Sequence, residues 1–396
     1  MIFKILNRFL IGISILIFIL IVFQFVINPK YSFPEPHAFQ GKYIYNPYRN
    51  ADLKKWKRAN FHAHTRKFFE HSDKATRSIT LIDSLYKSFD FNIISISDYQ
   101  FINRYESKNS WFIPVYEHGY QYYKNHQLAI NSKKVCWLDF PFRQTLSNKQ
   151  LIIDQLKRDT SVLITIVHPI YRRAYSSRDF KYLGNYNCLE IANHERTFTA
   201  CYDTILSYGH PVFIMADDDS HELNSIKEIC NSFNEINSDL IKDSVLKALS
   251  CGRSIGVKFN VTTFKTNEEK RAALMKLPEI NAITFQNDSL TVRLSQSVKT
   301  IKFIGQHGIE ISRISDHSEG SCYFNQQDTY IRTEVECYDG TFYFLNPLFR
   351  YDGKKLSDYS PVYNVFKTWA WRLAFISILL LIFIIWYRER CIMGRK

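Results

Sequence analysis

The sequence predicts an α/β domain followed by a smaller antiparallel β domain, the two held between a pair of membrane-crossing helices. Three observations carry this. Two uncharged or nearly uncharged runs, residues 9–27 and 369–387, lie near the ends of the 396-residue chain. Between residues 59 and 258 short apolar runs alternate with amphipathic stretches. Beyond about residue 280 the helical pattern gives way to alternating strand-like segments.

The first run, FLIGISILIFILIVFQFVI, has no charge, and the second, WAWRLAFISILLLIFIIWY, has only Arg372. Each is close to the ~20 residues that cross a bilayer. The first reads VINPKYSFP onward, without the small-residue pattern of a signal cleavage site. Trp369, Trp371, Trp386 and Tyr387 bracket the second as an aromatic belt. Cations outside the runs (Lys4, Arg8, Arg388, Arg390, Arg395, Lys396) outnumber those inside (Lys30, Lys367, Arg372). The positive-inside rule then places both termini in the cytoplasm and the main domain across the inner membrane, in the periplasm or its equivalent.

The remaining segmentation follows from composition. Residues 28–58, with four prolines, read as an extended linker. Residues 59–258 form the α/β domain, 259–352 the β-sandwich, 353–368 a juxtamembrane linker and 388–396 a cytoplasmic tail. The α/β runs are FNIISIS (91–97), WFIPVY (111–116), SVLITIV (161–167), YNCLEIA (186–192) and HPVFIMA (210–216). Helical patterns lie at 78–89, 148–159 and 225–236. Strands alternating with helices imply parallel pairing around a buried sheet.

The net charge is +13, of which about +8 falls between the two spans. That suits a phosphorylated ligand or an anionic membrane surface. With no nucleic-acid-binding motif and no dense basic stripe, no nucleic-acid partner is expected. The eight cysteines form no CxxC, which excludes a cysteine zinc site and a disulfide framework.

The informative residues close the apolar runs. His62 and His64 form HxH, Asp98 ends FNIISISD, Glu117 ends WFIPVYE, His168 ends SVLITIVHP, and Asp219 and His221 form DxH. In a strand, residues i and i+2 face the same side, so each pair can aim at one spot. In a closed parallel α/β barrel the carboxyl ends of all strands share one face. Imidazole with carboxylate, and no thiolate, suits Zn, Mn or Fe. Taken singly, each residue has an ordinary structural use. The HP pair is a common turn, and Asp219 or Ser220 can cap the helix expected at 225–236.

This order of motifs, HAH, Glu117, VHP and DSH, resembles the PHP family, the polymerase-and-histidinol-phosphatase domain, over residues 59–258. The resemblance implies a distorted seven-stranded (β/α) barrel with metal-dependent phosphoesterase activity. It implies two to three divalent ions held by His62, His64, Glu117, His168, Asp219 and His221, with a metal-bound hydroxide as the nucleophile. His126, in KNHQLAI, looks like the histidine that follows the family's bridging glutamate. Asp98 or His126 would ligate or move protons, and Arg172 or Arg173 would grip phosphate. The segment with IRTEVE and LNPLF resembles the C-terminal sandwich of envelope members.

Two positions depart from the family. Ser97-Asp98-Tyr99 stands where Thr-Asp-His is usual. The early Ser-Asp-Gly is replaced by His71-Ser72-Asp73, so that His71 or Asp73 would fill that ligand position. The expected partners are the membrane and a phosphorylated small molecule or envelope component. A binding module without turnover and a hydrolase of non-phosphate bonds are the alternatives.

Overall fold

The computed structural model describes residues 2–65, 79–105, 107–222 and 225–393. The chain is mixed α/β, and most strands fall into two open sheets. The smaller has five strands in the spatial order Val115–His118, Gln127–Ile130, Leu163–Ile166, Cys188–Ala192 and Phe213–Ala216. Its last three strands are parallel. The first three pair antiparallel, because Gln127–Ile130, which the run pattern did not mark as a strand, folds back on Val115–His118.

The larger sheet has eleven strands. Ile93–Ile94 pairs parallel with Trp56–Asn60, and the sheet continues antiparallel through Ser232–Asn237 and Ser254–Lys258 into Phe342–Leu345. The long hairpin Ser289–Ile304 and Glu310–Tyr323 belongs to the same sheet. The C-terminal strands therefore extend the central sheet.

No closed sheet forms among the described residues. The two sheets meet instead at two isolated parallel bridges, Ala63 with Ser220 and Tyr99 with Glu117. The reason is local. Side chains take the backbone donors that a continuous ladder would use: Phe61 N–H donates to Asp217 Oδ1 (2.6 Å), His62 N–H to Asn60 Oδ1 (2.9 Å) and Ala63 N–H to Ser97 Oγ (3.2 Å). These seams are where HxH, Glu117 and DxH lie.

Helices Ile79–Ser88 and Leu146–Leu156 match two expected segments, the second opened by a Thr145 capping box. The third, 225–236, is instead a turn and the strand Ser232–Asn237. The Asp218 carboxylate accepts the N–H groups of Cys230, Asn231 and Ser232 at 2.7–2.8 Å, which removes the donors a helix there would need.

Two helices are long and apolar enough to cross a membrane, Phe3–Ile27 and Val365–Arg390. The first closes in a π-helical turn, Val22–Ile27. The chain beyond it is extended and packed: Tyr31–Ser32 pairs with Val362–Tyr363, and Phe39 stacks on Phe349 at 4.3 Å between ring centroids. Gln24, fully buried, donates to the Phe142 and Arg143 carbonyls (3.1 Å each) and accepts the Phe142 N–H (2.9 Å).

Candidate metal centre

His62 and His64 lie just past the strand Trp56–Asn60, with buried Ala63 between them. Extended backbone puts both imidazoles on one side, with ring centroids 5.1 Å apart. Glu117 lies inside the edge strand Val115–His118, and Asp219 follows the strand Phe213–Ala216 with φ +54°. His62, His64 and Glu117 are buried, while the Asp219 side chain is 14% exposed and marks the open side.

Four atoms converge. His62 Nε2 lies 3.5 Å from Glu117 Oε2 and 3.2 Å from Asp219 Oδ1; His64 Nε2 lies 3.2 and 3.4 Å from the same two oxygens. All four atoms are buried and lack a hydrogen bond of acceptable geometry. Buried polar atoms are rarely left so, because each unmade bond costs about 1–3 kcal/mol. Ligands about 2.0–2.1 Å from a tetrahedral ion are separated by roughly 3.3–3.4 Å. The observed spacings bracket that value, and the donor set fits a divalent cation.

The other Glu117 oxygen faces a second group. Oε1 is 2.5 Å from His126 Nδ1 and 2.9 Å from His168 Nε2. Glu117, His126 and His168 form a second buried trio with metal-ligand spacing. One carboxylate thus divides its two oxygens between two candidate ion positions.

Electrostatics agree with this arrangement. Burial alone would lower the His62 pKa, but Asp219 and Glu117 outweigh it and hold the group well above its ordinary value. His64 and His168 are raised in the same sense, with Asp219 and Glu117 acting on the first and mainly Glu117 on the second. Burial opposes ionisation of Glu117, yet the surrounding imidazoles, His126 and His62 foremost, hold it well below the usual carboxylate range.

The remaining named residues take other places. His221 is stacked on His64 at 4.6 Å, and its Nδ1 bonds the Asp219 carbonyl (2.9 Å). Its Nε2 faces the Tyr99 hydroxyl at 3.3 Å, outside the four-atom cluster. Tyr99 stacks on the opposite partner of the pair, His64, at 4.6 Å, and burial with the Glu117 and Asp219 charges keeps its phenol protonated. Asp98 accepts the Thr65 N–H (2.8 Å) and hydroxyl (2.6 Å), and so holds Thr65 directly after HxH. Arg172 and Arg173 are exposed on the turn after His168; Arg172 packs over the Tyr122 ring at 4.6 Å. His71 and Asp73 lie outside the described residues.

Glu190 is the residue the sequence did not announce. From the strand Cys188–Ala192 its Oε1 accepts from His62 Nδ1 (2.8 Å), while Oε2 accepts the His168 N–H (2.8 Å) and Asn193 Nδ2 (3.2 Å). This carboxylate fixes the tautomer that leaves His62 Nε2 facing the cluster. The available signal was a single fully buried charge inside the apolar run YNCLEIA. The three aspartates of DDDSH divide their tasks. Asp217 holds the Phe61 N–H, Asp218 holds the 230–232 turn, and only Asp219 reaches the cluster.

No family model matches the chain, and no curated protein matches it. Among solved structures it is similar to a two-domain protein from Bacteroides vulgatus ATCC 8482 containing a predicted PHP-like metal-dependent phosphoesterase. The identity is 11% and the TM-score 0.39, over 84% of this chain and 99% of that one. It is also similar to PsfC from Pseudomonas syringae PB-5123, at 12% identity and TM-score 0.37, over 56% of this chain and 96% of that one. With TM-scores below 0.5, neither likeness identifies the fold.

Proposed function

We propose that this chain is a membrane-anchored, metal-dependent phosphoesterase whose α/β domain lies outside the cytoplasm. The observation that carries the metal reading is the convergence of four unpartnered buried donor atoms, with Glu117 shared between two groups. The phosphate-ester reading rests on the motif order that resembles the PHP family and on the cations Arg172 and Arg173 on the turn after His168.

His62, His64, Glu117 and Asp219 would hold a divalent ion, which would supply Lewis acidity toward water and a phosphoryl oxygen. The chain's own groups do the rest. Glu190 holds His62 in register. The Tyr99 phenol, kept protonated, sits 3.3 Å from His221 Nε2 and stacks on His64 beside the cluster. Asp219 and His221, on the exposed side, line the approach.

Tyr99 at the family's histidine position favours a second reading, a module that binds its ligand without turnover. The test is a panel of phosphomonoesters, phosphodiesters and amides offered to the purified full chain with added Mn or Zn. Turnover of a phosphate ester, abolished by Asp219→Asn, is the expected result. Turnover of amides alone would replace it with a non-phosphate hydrolase. Metal binding without turnover, with activity appearing only in Tyr99→His, would establish the binding module.

A further inference from the structure

A cavity of about 720 Å³ lies where the chain meets the two apolar helices. Lys30, Arg143, Lys149, Arg178, Lys367 and Asp179 supply its charged lining. Asp179 is already engaged: it lies 2.7 Å from Lys149 Nζ and accepts from the Ser176 N–H and hydroxyl. Four cations therefore face the cavity without a matching carboxylate. Lys30 Nζ donates to the Phe25 carbonyl (2.8 Å) and rests over the Trp371 ring, with donors to spare. Arg143, Arg178 and Lys367 are exposed, and none pairs with a carboxylate among the described residues.

Three further features narrow the ligand. The 11-residue helix Leu146–Leu156 begins at this cavity with no acidic residue in its first turn, so its N-terminal N–H groups add positive potential. Tyr31, Phe33 and Tyr182 give it an aromatic wall. It lies at one end of both apolar helices: Lys30 is three residues beyond Ile27, and Lys367 is in the first turn of Val365–Arg390, which with the helices read as spans is the headgroup layer. Guanidinium and ammonium groups beside aromatic rings at this depth suit a phosphoryl anion with an apolar body attached.

We propose that this cavity holds the phosphoryl headgroup of an anionic lipid from the bilayer that the two helices cross. The inference rests on the reading of those helices as membrane spans, and it is separate from the metal centre. Clamping such a lipid would fix the domain's height and tilt above the membrane, since the same joint carries Gln24, Tyr31–Ser32 and Val362–Tyr363.

The test uses the full chain reconstituted into nanodiscs, and then native mass spectrometry in detergent with phosphatidylglycerol or phosphatidylcholine added. The expected result is one phosphatidylglycerol retained per chain, in preference to phosphatidylcholine. Each cation near the surface contributes about fivefold, so the Arg143→Ala/Arg178→Ala/Lys367→Ala variant should lose about a hundredfold in affinity. The charge-keeping Arg143→Lys/Arg178→Lys/Lys367→Arg variant should retain most of it, which separates charge from folding. Equal retention of both lipids, or retention unchanged in the alanine variant, would overturn the proposal. Displacement of the lipid by millimolar inorganic phosphate would reassign the cavity to a soluble phosphoryl ligand. A chain that folds but does not enter nanodiscs would instead sink the membrane-spanning reading itself.

Discussion

The metal cluster and the membrane joint both bury polar side chains, and they do so in opposite ways. At the joint, Gln24 sits fully buried with both ends of its side-chain amide partnered, and its main-chain carbonyl accepts from Asn148 Nδ2 (3.0 Å). At the cluster, two imidazole nitrogens each lie within 3.5 Å of the same two carboxylate oxygens, and none of the four has a hydrogen bond of acceptable geometry. A satisfied buried group specifies structure, whereas a convergent set left unsatisfied specifies a ligand. The same contrast appears between chain neighbours. Asp218 accepts from three backbone N–H groups and the Tyr86 hydroxyl (2.6 Å), while Asp219 Oδ1 faces only the imidazoles of His62 and His64, at 3.2 and 3.4 Å.

That contrast is broken most sharply at those neighbours. Asp219→Asn should abolish occupancy of the four-atom position while leaving the domain folded, at some cost in metal-free stability because it removes a charge that holds His62 and His64 protonated. Asp218→Asn should keep the metal and cost about 2–3 kcal/mol, because an amide N–H₂ then faces donors. Elemental analysis and thermal unfolding of both variants check this; matching behaviour in the two would dissolve the distinction. Glu190→Gln tests the support of His62. Losing the carboxylate behind a ligating imidazole should weaken metal binding about 10–100-fold, read by chelator competition, with little change in fold. Gln24→Leu tests the other region. It leaves the Phe142 N–H and two carbonyls unpartnered, and should destabilise the joint by about 2 kcal/mol without moving metal affinity. Denaturation of the reconstituted chain measures it.

Much of this was legible in the sequence. Period-two spacing put His62 with His64, and strand-end placement marked Glu117, His168 and Asp219, because ligands at strand ends are read by position alone. What escaped was information held by partners distant in the chain. Glu190 sits inside an apolar run and reveals itself through distant partners, His62, 128 positions away, and the His168 N–H. DDD offers three carboxylates, and spacing cannot say which one the fold leaves free. The helix expected at 225–236 became a strand because Asp218 captures its donors, a tertiary effect invisible to local pattern. The expected ring of strands is interrupted as a continuous sheet for the same kind of reason: Asp217, Asn60 and Ser97 side chains occupy the ladder at the seam. The breaks in hydrogen bonding that spoil the regular sheet are also what free the imidazoles and carboxylates to meet.

The most direct test of the central claim is metal uptake by the purified full chain, followed in weak buffer so that proton release is counted as well. Protons and metal compete for the same imidazole nitrogens. Because His62, His64 and His168 are held above their ordinary value of 6.5, the metal-free protein carries protons there near neutral pH. Uptake of Zn or Mn should therefore release protons, and affinity should climb as pH rises through the range above 6.5. The expected result is about two ions per chain with proton release, and loss of the first ion in His62→Ala/His64→Ala. A well-folded protein that takes up neither Zn nor Mn, at any pH from 6 to 8, would contradict the account.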